Sequence, residues 1–369
     1  MMRNVYIWGP SLIRQGLRSL YKATPEHGPV HILFCVADHF EPKWNGADPQ
    51  REKERVRRWN EEYPKNASRH WDSNGRPPQH TWFYAAEQYN PVCLEAMSRL
   101  CTSGFGEIEL HLHHGYDTAD GLKEKLERAK EDFAQHGALI TQGEPPRHAF
   151  GFIHGDWALS NSRENSSYCG VDNELRILRD AGCYADFTLP SAPHESQTSK
   201  VNSIYYAKDI PGRRKSHDRG VDVRVGGKKT GDLMLIQGAL ALNWKRRKRG
   251  VLPKIENGCI LNNNPGTPDR IDLWVKQHIH VMGRPEWIFI KVHCHGGQEP
   301  DIDALLGGGA DSMFRYLEER YNDGRQYTLH YVTAREMYNT IKAAEAGCNG
   351  DPFLYKDYVI KPYLNSRKA

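Results

Sequence analysis

Histidine dominates the chemistry open to this chain, which carries 18 in 369 residues, where ordinary usage gives roughly eight. Several are clustered. His111 and His113 stand in an HLH run, and His293 and His295 in an HCH run. Side chains alternate faces along a strand, so each pair projects to one side, and two imidazoles on one face can share a metal ion. His114 follows immediately and is an alternative to His113. Asp38 and His39 adjoin in VADHF, where a carboxylate and an imidazole could supply a ligand and a general base. Asp38 also reads as a turn or helix-capping residue. In HGDW, Gly155 permits close backbone approach, His154 and Asp156 add polar groups, and Trp157 offers a flat face for a sugar ring. A plain structural turn accounts for that motif equally well. The competing reading of both His-x-His pairs, polar residues satisfied at a strand rim, weakens when two such pairs occur.

Those side chains need elements to position them. Apolar runs that end in polar residues recur with helical stretches between: His31 to Val36, Thr81 to Tyr84, Glu107 to Leu112, Ala149 to Ile153, Tyr184 to Leu189, Trp287 to Val292 and Tyr327 to Val332. Helical stretches lie at Arg51 to Tyr63, Cys93 to Leu100, Leu122 to His136, Asn173 to Ala181, Ile271 to Met282, Ala310 to Tyr321 and Ala334 to Ala346. This order predicts an α/β chain, an irregular (β/α)7-type barrel in one domain spanning 30–346, with its site at the strand ends. Residues 194–264 are Gly-rich, basic and irregular, and read as an insertion serving as lid or substrate wall. Within it, Lys245 to Arg249 is a basic run that reads first as a solvated loop and second as a contact for an anionic substrate or surface. Residues 347–369 read as a C-terminal tail.

A net charge of +4 is near balance and argues against a nucleic-acid partner. The eight cysteines form no CxxC pair and are expected to be reduced, as in the cytoplasm. No apolar leader core and no long apolar run is present, so neither secretion nor a membrane span is expected. Residues 1–29 form an amphipathic extension: Ile7, Trp8, Leu12, Ile13 and Leu17 with Arg14 and Arg18 fit a short basic helix. Packing on the domain is the preferred reading, and weak contact with a membrane surface the other.

In order along the chain, VADHF, HTWFY, GEIELHLHH and KVHCHGG resemble the strand-end motifs of the polysaccharide deacetylase family of carbohydrate esterases. The likeness runs over 30–345 in element order, is strongest from Thr81 to His114, and extends to residue type only at those motifs. The resemblance implies a divalent metal, usually zinc, held by one Asp and two His, a second Asp as base, a late His as acid, and removal of an acetyl group from a sugar. Two departures leave two assignments open. The family's paired Asp is Asp38-His39 here, and its second metal His, expected near Gly115, is replaced by His113 or His114. Either Asp38 is a ligand beside His39, or Asp38 is the base and His39, His111 and His113 hold the metal. The second is preferred, with His293 or His295 as acid and His154, Asp156 and Trp157 against the substrate.

The function expected from this is a metal-dependent hydrolase acting on an acylated sugar, and a cytoplasmic setting points to glycan precursors. Rivals are an amidohydrolase or phosphoesterase barrel, a glycosidase with two carboxylates roughly 5–10 Å apart, and a barrel that has lost catalysis and binds glycans or partner proteins.

Overall fold

The structure is a computed structural model that describes residues 3–19 and 28–366, the side chains of 16–19 excepted. Leu17 and Arg18 of the expected amphipathic helix, and residues 20–27 of the extension, therefore lie outside the described side chains.

A first helix, α1 (Val5–Ser19), precedes the long strand β1 (Val30–Phe40). Helix and strand then alternate through α2 (Pro49–Ala67), β2 (His80–Ala85), α3 (Pro91–Thr102), β3 (Gly106–Leu112), α4 (Ala119–Ala134), β4 (Phe150–His154), α5 (Glu174–Asp180) and β5 (Cys183–Asp186). Short strands follow: β6 (Ile204–Ala207), β7 (Val221–Asp222), β8 (Leu233–Ile236), β9 (Ala241–Lys248) and β10 (Leu252–Glu256). The chain closes with α6 (Pro268–Gln277), β11 (Trp287–Cys294), α7 (Glu299–Leu306), α8 (Gly308–Tyr321), β12 (Tyr327–Tyr331) and α9 (Ala334–Glu345).

Helix starts follow local chemistry. Asp48 and Asn90 accept backbone N–H groups at the heads of α2 and α3, each followed by proline at the first helical position. Thr333 and Glu336 make a reciprocal capping box on α9.

Ten strands join one mostly parallel sheet, with the path β11, β1, β2, β3, β4, β5, β8, β6, β7, and β12 pairing with β1. β1 pairs along most of its length with β11, and in its two halves with β12 and β2. β2, β3 and β4 are buried at every position, as parallel strands covered on both faces require. β8 lies within the stretch read as an insertion, yet it extends the main sheet beside β5. Its four apolar residues, LMLI, are too short a run to stand out from a loop. β9 and β10 form a separate antiparallel hairpin. At one end of the path Lys291 on β11 is buried, and its ammonium donates to Phe187 O and Leu189 O just past β5, both at 2.6 Å.

α1 docks through Trp8, buried against Ala192, Val201 and Leu240. Beyond α9 the chain runs back over the sheet, and the buried Tyr363 hydroxyl donates to Glu109 at 2.9 Å. No helix among the described residues is long and apolar enough to cross a membrane. All eight cysteines are free.

Candidate metal centre

Parallel strands deliver their last residues to one end of the sheet, and five imidazoles meet there. His39 comes from β1, His111 from β3 with His113 just beyond, and His293 from β11 with His295 just beyond. The His39 ring centroid lies 5.2 Å from that of His111, 5.8 Å from His293 and 4.9 Å from His295. His111 and His113 are 4.6 Å apart. His39 Nε2 and His295 Nδ1 are buried and have no hydrogen-bond partner among the described residues, which in a dry interior leaves them costly unless something else meets them.

Glu41 completes the group. Its Oε1 lies 3.1 Å from His111 Nε2 and 3.2 Å from His113 Nε2, and these three donor atoms lie within 4.8 Å of one another. The proton inventory here leaves room for a cation. His111 Nδ1 is 2.9 Å from Ile153 O, and since a carbonyl only accepts, Nδ1 carries the hydrogen. His111 Nε2, facing a carboxylate, must then carry a second proton or share a cation with it. His113 repeats the pattern, with Nδ1 at 2.6 Å from Glu87 Oε1. Outer partners of this kind orient metal-binding imidazoles.

Electrostatics divides the site. Burial, followed by the neighbouring imidazoles of His295, His111 and His293, holds His39 well below the usual histidine range. Burial, followed by Lys291, does the same to His293, and burial lowers His295. For His113 burial works downward, but its hydrogen bonds to Glu41 and Glu87 prevail and raise it to about 10. Burial pushes Glu41 up, and the hydrogen bonds from His111 and His113 more than reverse that. One side of this strand-end cluster, hereafter the mouth of the site, is therefore a set of neutral imidazoles, His39, His293 and His295, and the other pairs the charges of His113, Glu41 and Glu87, which a divalent ion could join.

Trp157 lies against this cluster, its ring 6.2 Å from that of His39 and 6.3 Å from that of His295. Asp156, Trp157, Ser160 and Asn161 all have φ between 51° and 55°, a left-handed region that side-chain-bearing residues rarely adopt. Such strain persists only where surrounding contacts impose it, and it gathers at functional sites. A cavity of about 310 Å3 lies beside His113 and Glu87, lined also by Leu112, Lys125, Arg128 and Asp132.

The remaining candidate residues are placed as follows. Asp38 is fully buried, and its carboxylate accepts from Gly296 N at 2.6 Å and pairs with His80 Nε2 at 3.0 Å. A Cβ on Gly296 would stand 2.1 Å from Asp38 Oδ2, so the turn after β11 is seated on this carboxylate. Asp38 thus sits beneath the mouth. Asp38→Ala is expected to cost about 3 kcal/mol of stability, because the Gly296 amide and His80 lose their acceptor. Urea unfolding checks this, and an unchanged midpoint would mean the carboxylate is free for another role. His154 belongs to a second buried cluster with His114 and Glu174. Asp156 is exposed, 3.8 Å from Arg163. In the Lys245 to Arg249 run, Arg246 is taken up by Asp269 at 3.1 Å and Thr267 at 2.8 Å.

Glu41 and Glu87 lie outside the sequence motifs that single out the histidines. Glu41 had a signal, since it stands two positions after His39 and shares its face. Glu87, in the turn after β2, had none. No protein-family model matches the chain, and no curated protein matches it.

Proposed function

We propose that this chain is a metal-dependent hydrolase that removes an acyl group, acetyl in the first instance, from a sugar or glycan precursor, with a zinc-class ion at Glu41, His111 and His113. The observation that carries the reading is the meeting of five imidazoles at the ends of three strands, with Glu41 against His111 and His113, and with two buried imidazole nitrogens that have no hydrogen-bond partner among the described residues. The resemblance of the strand-end motifs to polysaccharide deacetylases supplies the substrate class. The same reading takes the sheet as an irregular (β/α)7-type barrel, which the Lys291 bonds from β11 to the end of β5 support.

When bound, the ion supplies Lewis acidity, polarising an acyl carbonyl and making water acidic enough to react near neutral pH. The chain's own groups do the rest. Glu87 fixes the His113 ring through Nδ1, and Ile153 O fixes His111. His39 Nε2 and His295 Nδ1, the two buried nitrogens without a hydrogen-bond partner among the described residues, are the groups that take or return a proton, with His293 beside His39. Trp157 offers its face to a sugar ring and excludes bulk water. Asp38 positions His295 by anchoring the turn that carries it.

The test is acetate release. Zinc-loaded protein is incubated with N-acetylglucosamine and its short oligomers, a UDP-linked N-acetyl sugar, and O-acetylated oligosaccharides. Release that disappears on chelation and returns with zinc is the expected result. A chain that holds metal, binds these sugars and releases no acetate would make it a binding protein.

A further inference from the structure

Behind the mouth, where β3 and β4 end, four buried side chains from separate segments converge. They are His114, just past β3, His154 at the end of β4, Cys169 in the following loop, and Glu174, the first residue of α5. Their donor atoms all lie within 4.8 Å of one another. Glu174 Oε1 is 2.9 Å from His114 Nε2 and 3.4 Å from His154 Nε2, and Glu174 Oε2 is 3.5 Å from Cys169 Sγ.

Protons alone leave this cluster unsatisfied. His154 Nδ1 is 2.5 Å from Gly155 O, so it carries the hydrogen. The neutral ring then turns its Nε2 lone pair toward the Glu174 carboxylate, and that nitrogen, on a residue with 0% exposure, has no hydrogen-bond partner among the described residues. A lone pair facing a carboxylate in a dry interior is unfavourable.

We propose that His114, His154, Cys169 and Glu174 form a second, closed site for a zinc-class cation, structural in role and independent of the acyl-release reading. Two imidazoles, one thiolate and one carboxylate are a donor set suited to tetrahedral zinc. With a divalent ion their charges sum to zero, as a site without water demands. Cys169 releases its thiol proton to solvent as the ion enters. Outer partners are in place: Gly155 O holds His154, and Asp117 Oδ2 faces His114 Nδ1 at 3.4 Å while pairing with Lys125 at 2.8 Å. Four protein donors, all buried, leave no position for a substrate. What the ion secures is the segment from His154 to Glu174. Ser160, one of the left-handed residues beside Trp157, donates its N–H to Glu174 Oε2 at 2.6 Å. The second cation therefore braces the loop that carries Trp157 over the mouth.

The full chain loaded with Co(II) tests this. The expected result is two metal equivalents per chain by elemental analysis and a thiolate-to-cobalt charge-transfer band in the near ultraviolet. Cys169→Ser removes the band and one equivalent, whereas His111→Ala removes one equivalent and leaves the band. A cobalt-loaded native chain without a thiolate band, or Cys169→Ser that keeps both equivalents, overturns the proposal. If Cys169→Ser does not fold, the native zinc form is treated with a maleimide before and after strong chelation, with labelled cysteines read by mass spectrometry. Cys169 is expected to label only after chelation, and equal labelling in both states overturns the site.

Discussion

On the proposed function, His111→Ala is expected to abolish cation binding at the mouth and to lower acyl release by roughly 10³-fold, which corresponds to about 4 kcal/mol in the barrier. His111 is the residue with the most to lose. Its ring is fully buried, its Nδ1 hydrogen is committed to Ile153 O, and its Nε2 is 3.1 Å from Glu41 Oε1. Alanine leaves Glu41 with His113 alone, a single imidazole and a carboxylate, too few donors to hold a divalent ion against water. Glu87→Gln makes the useful comparison. It keeps every proposed ligand and weakens only the bond that orients His113, so metal affinity should fall by about 10–100-fold, the usual scale for an outer partner. Isothermal titration with zinc on protein first stripped by chelation separates the two, and acetate release at saturating zinc shows whether the Glu87 variant recovers when its weaker site is filled. A His111→Ala protein that binds zinc at the mouth as tightly as the native chain would place the centre elsewhere.

The histidines were legible because two simple rules coincide on them. Apolar runs end where they stand, and a spacing of two puts both members of each pair on one face. The same alternation parts Asp38 from His39. Adjacent strand residues cannot both face the mouth, and Asp38 instead meets Gly296 and His80 on the other side of β1. Glu41 obeys the rule from His39 but lies in a run, EPKW, that reads as a loop. His114, His154, Cys169 and Glu174 could not be grouped from sequence, because what unites them is the path of an irregular loop back to the head of α5. β8 was hidden for a related reason. A strand of four residues carries too little pattern to stand out in a Gly-rich stretch, and only its partner β5 identifies it.

β3 shows how the site is tied to the stability of the fold. Its sequence GEIELHL alternates strictly, so Glu107, Glu109 and His111 lie on one face. Each is buried and partnered: Glu107 with Arg335, Glu109 with the hydroxyls of Tyr184 and Tyr363, and His111 with Ile153 O. A row of polar groups through a parallel sheet stands only while every member is satisfied.

The second large effect is therefore expected at the far end of that row. Arg335 is buried, donates from Nε to Glu107 Oε1 at 2.9 Å with a second guanidinium nitrogen 2.8 Å from the same oxygen as an ion pair, and also reaches Asp357 Oδ1 at 2.7 Å and Ile360 O at 2.8 Å. It joins β3, α9 and the segment after α9 through one guanidinium. Arg335→Ala leaves Glu107, 3% exposed, as a buried carboxylate whose remaining donors among the described residues are the hydroxyls of Thr333 and Ser366. The expected cost is about 3–5 kcal/mol, read as a lower urea midpoint with the slope unchanged. Adding Glu107→Gln should recover a substantial part, because most of that cost is the stranded charge rather than the lost bonds. Zinc affinity of the molecules that remain folded should stay native, since His111, His113 and Glu41 keep all their partners. If Arg335→Ala instead lowered zinc affinity while sparing stability, β3 would be transmitting strain along its length, and the mouth could not be treated as a site carried on a rigid strand.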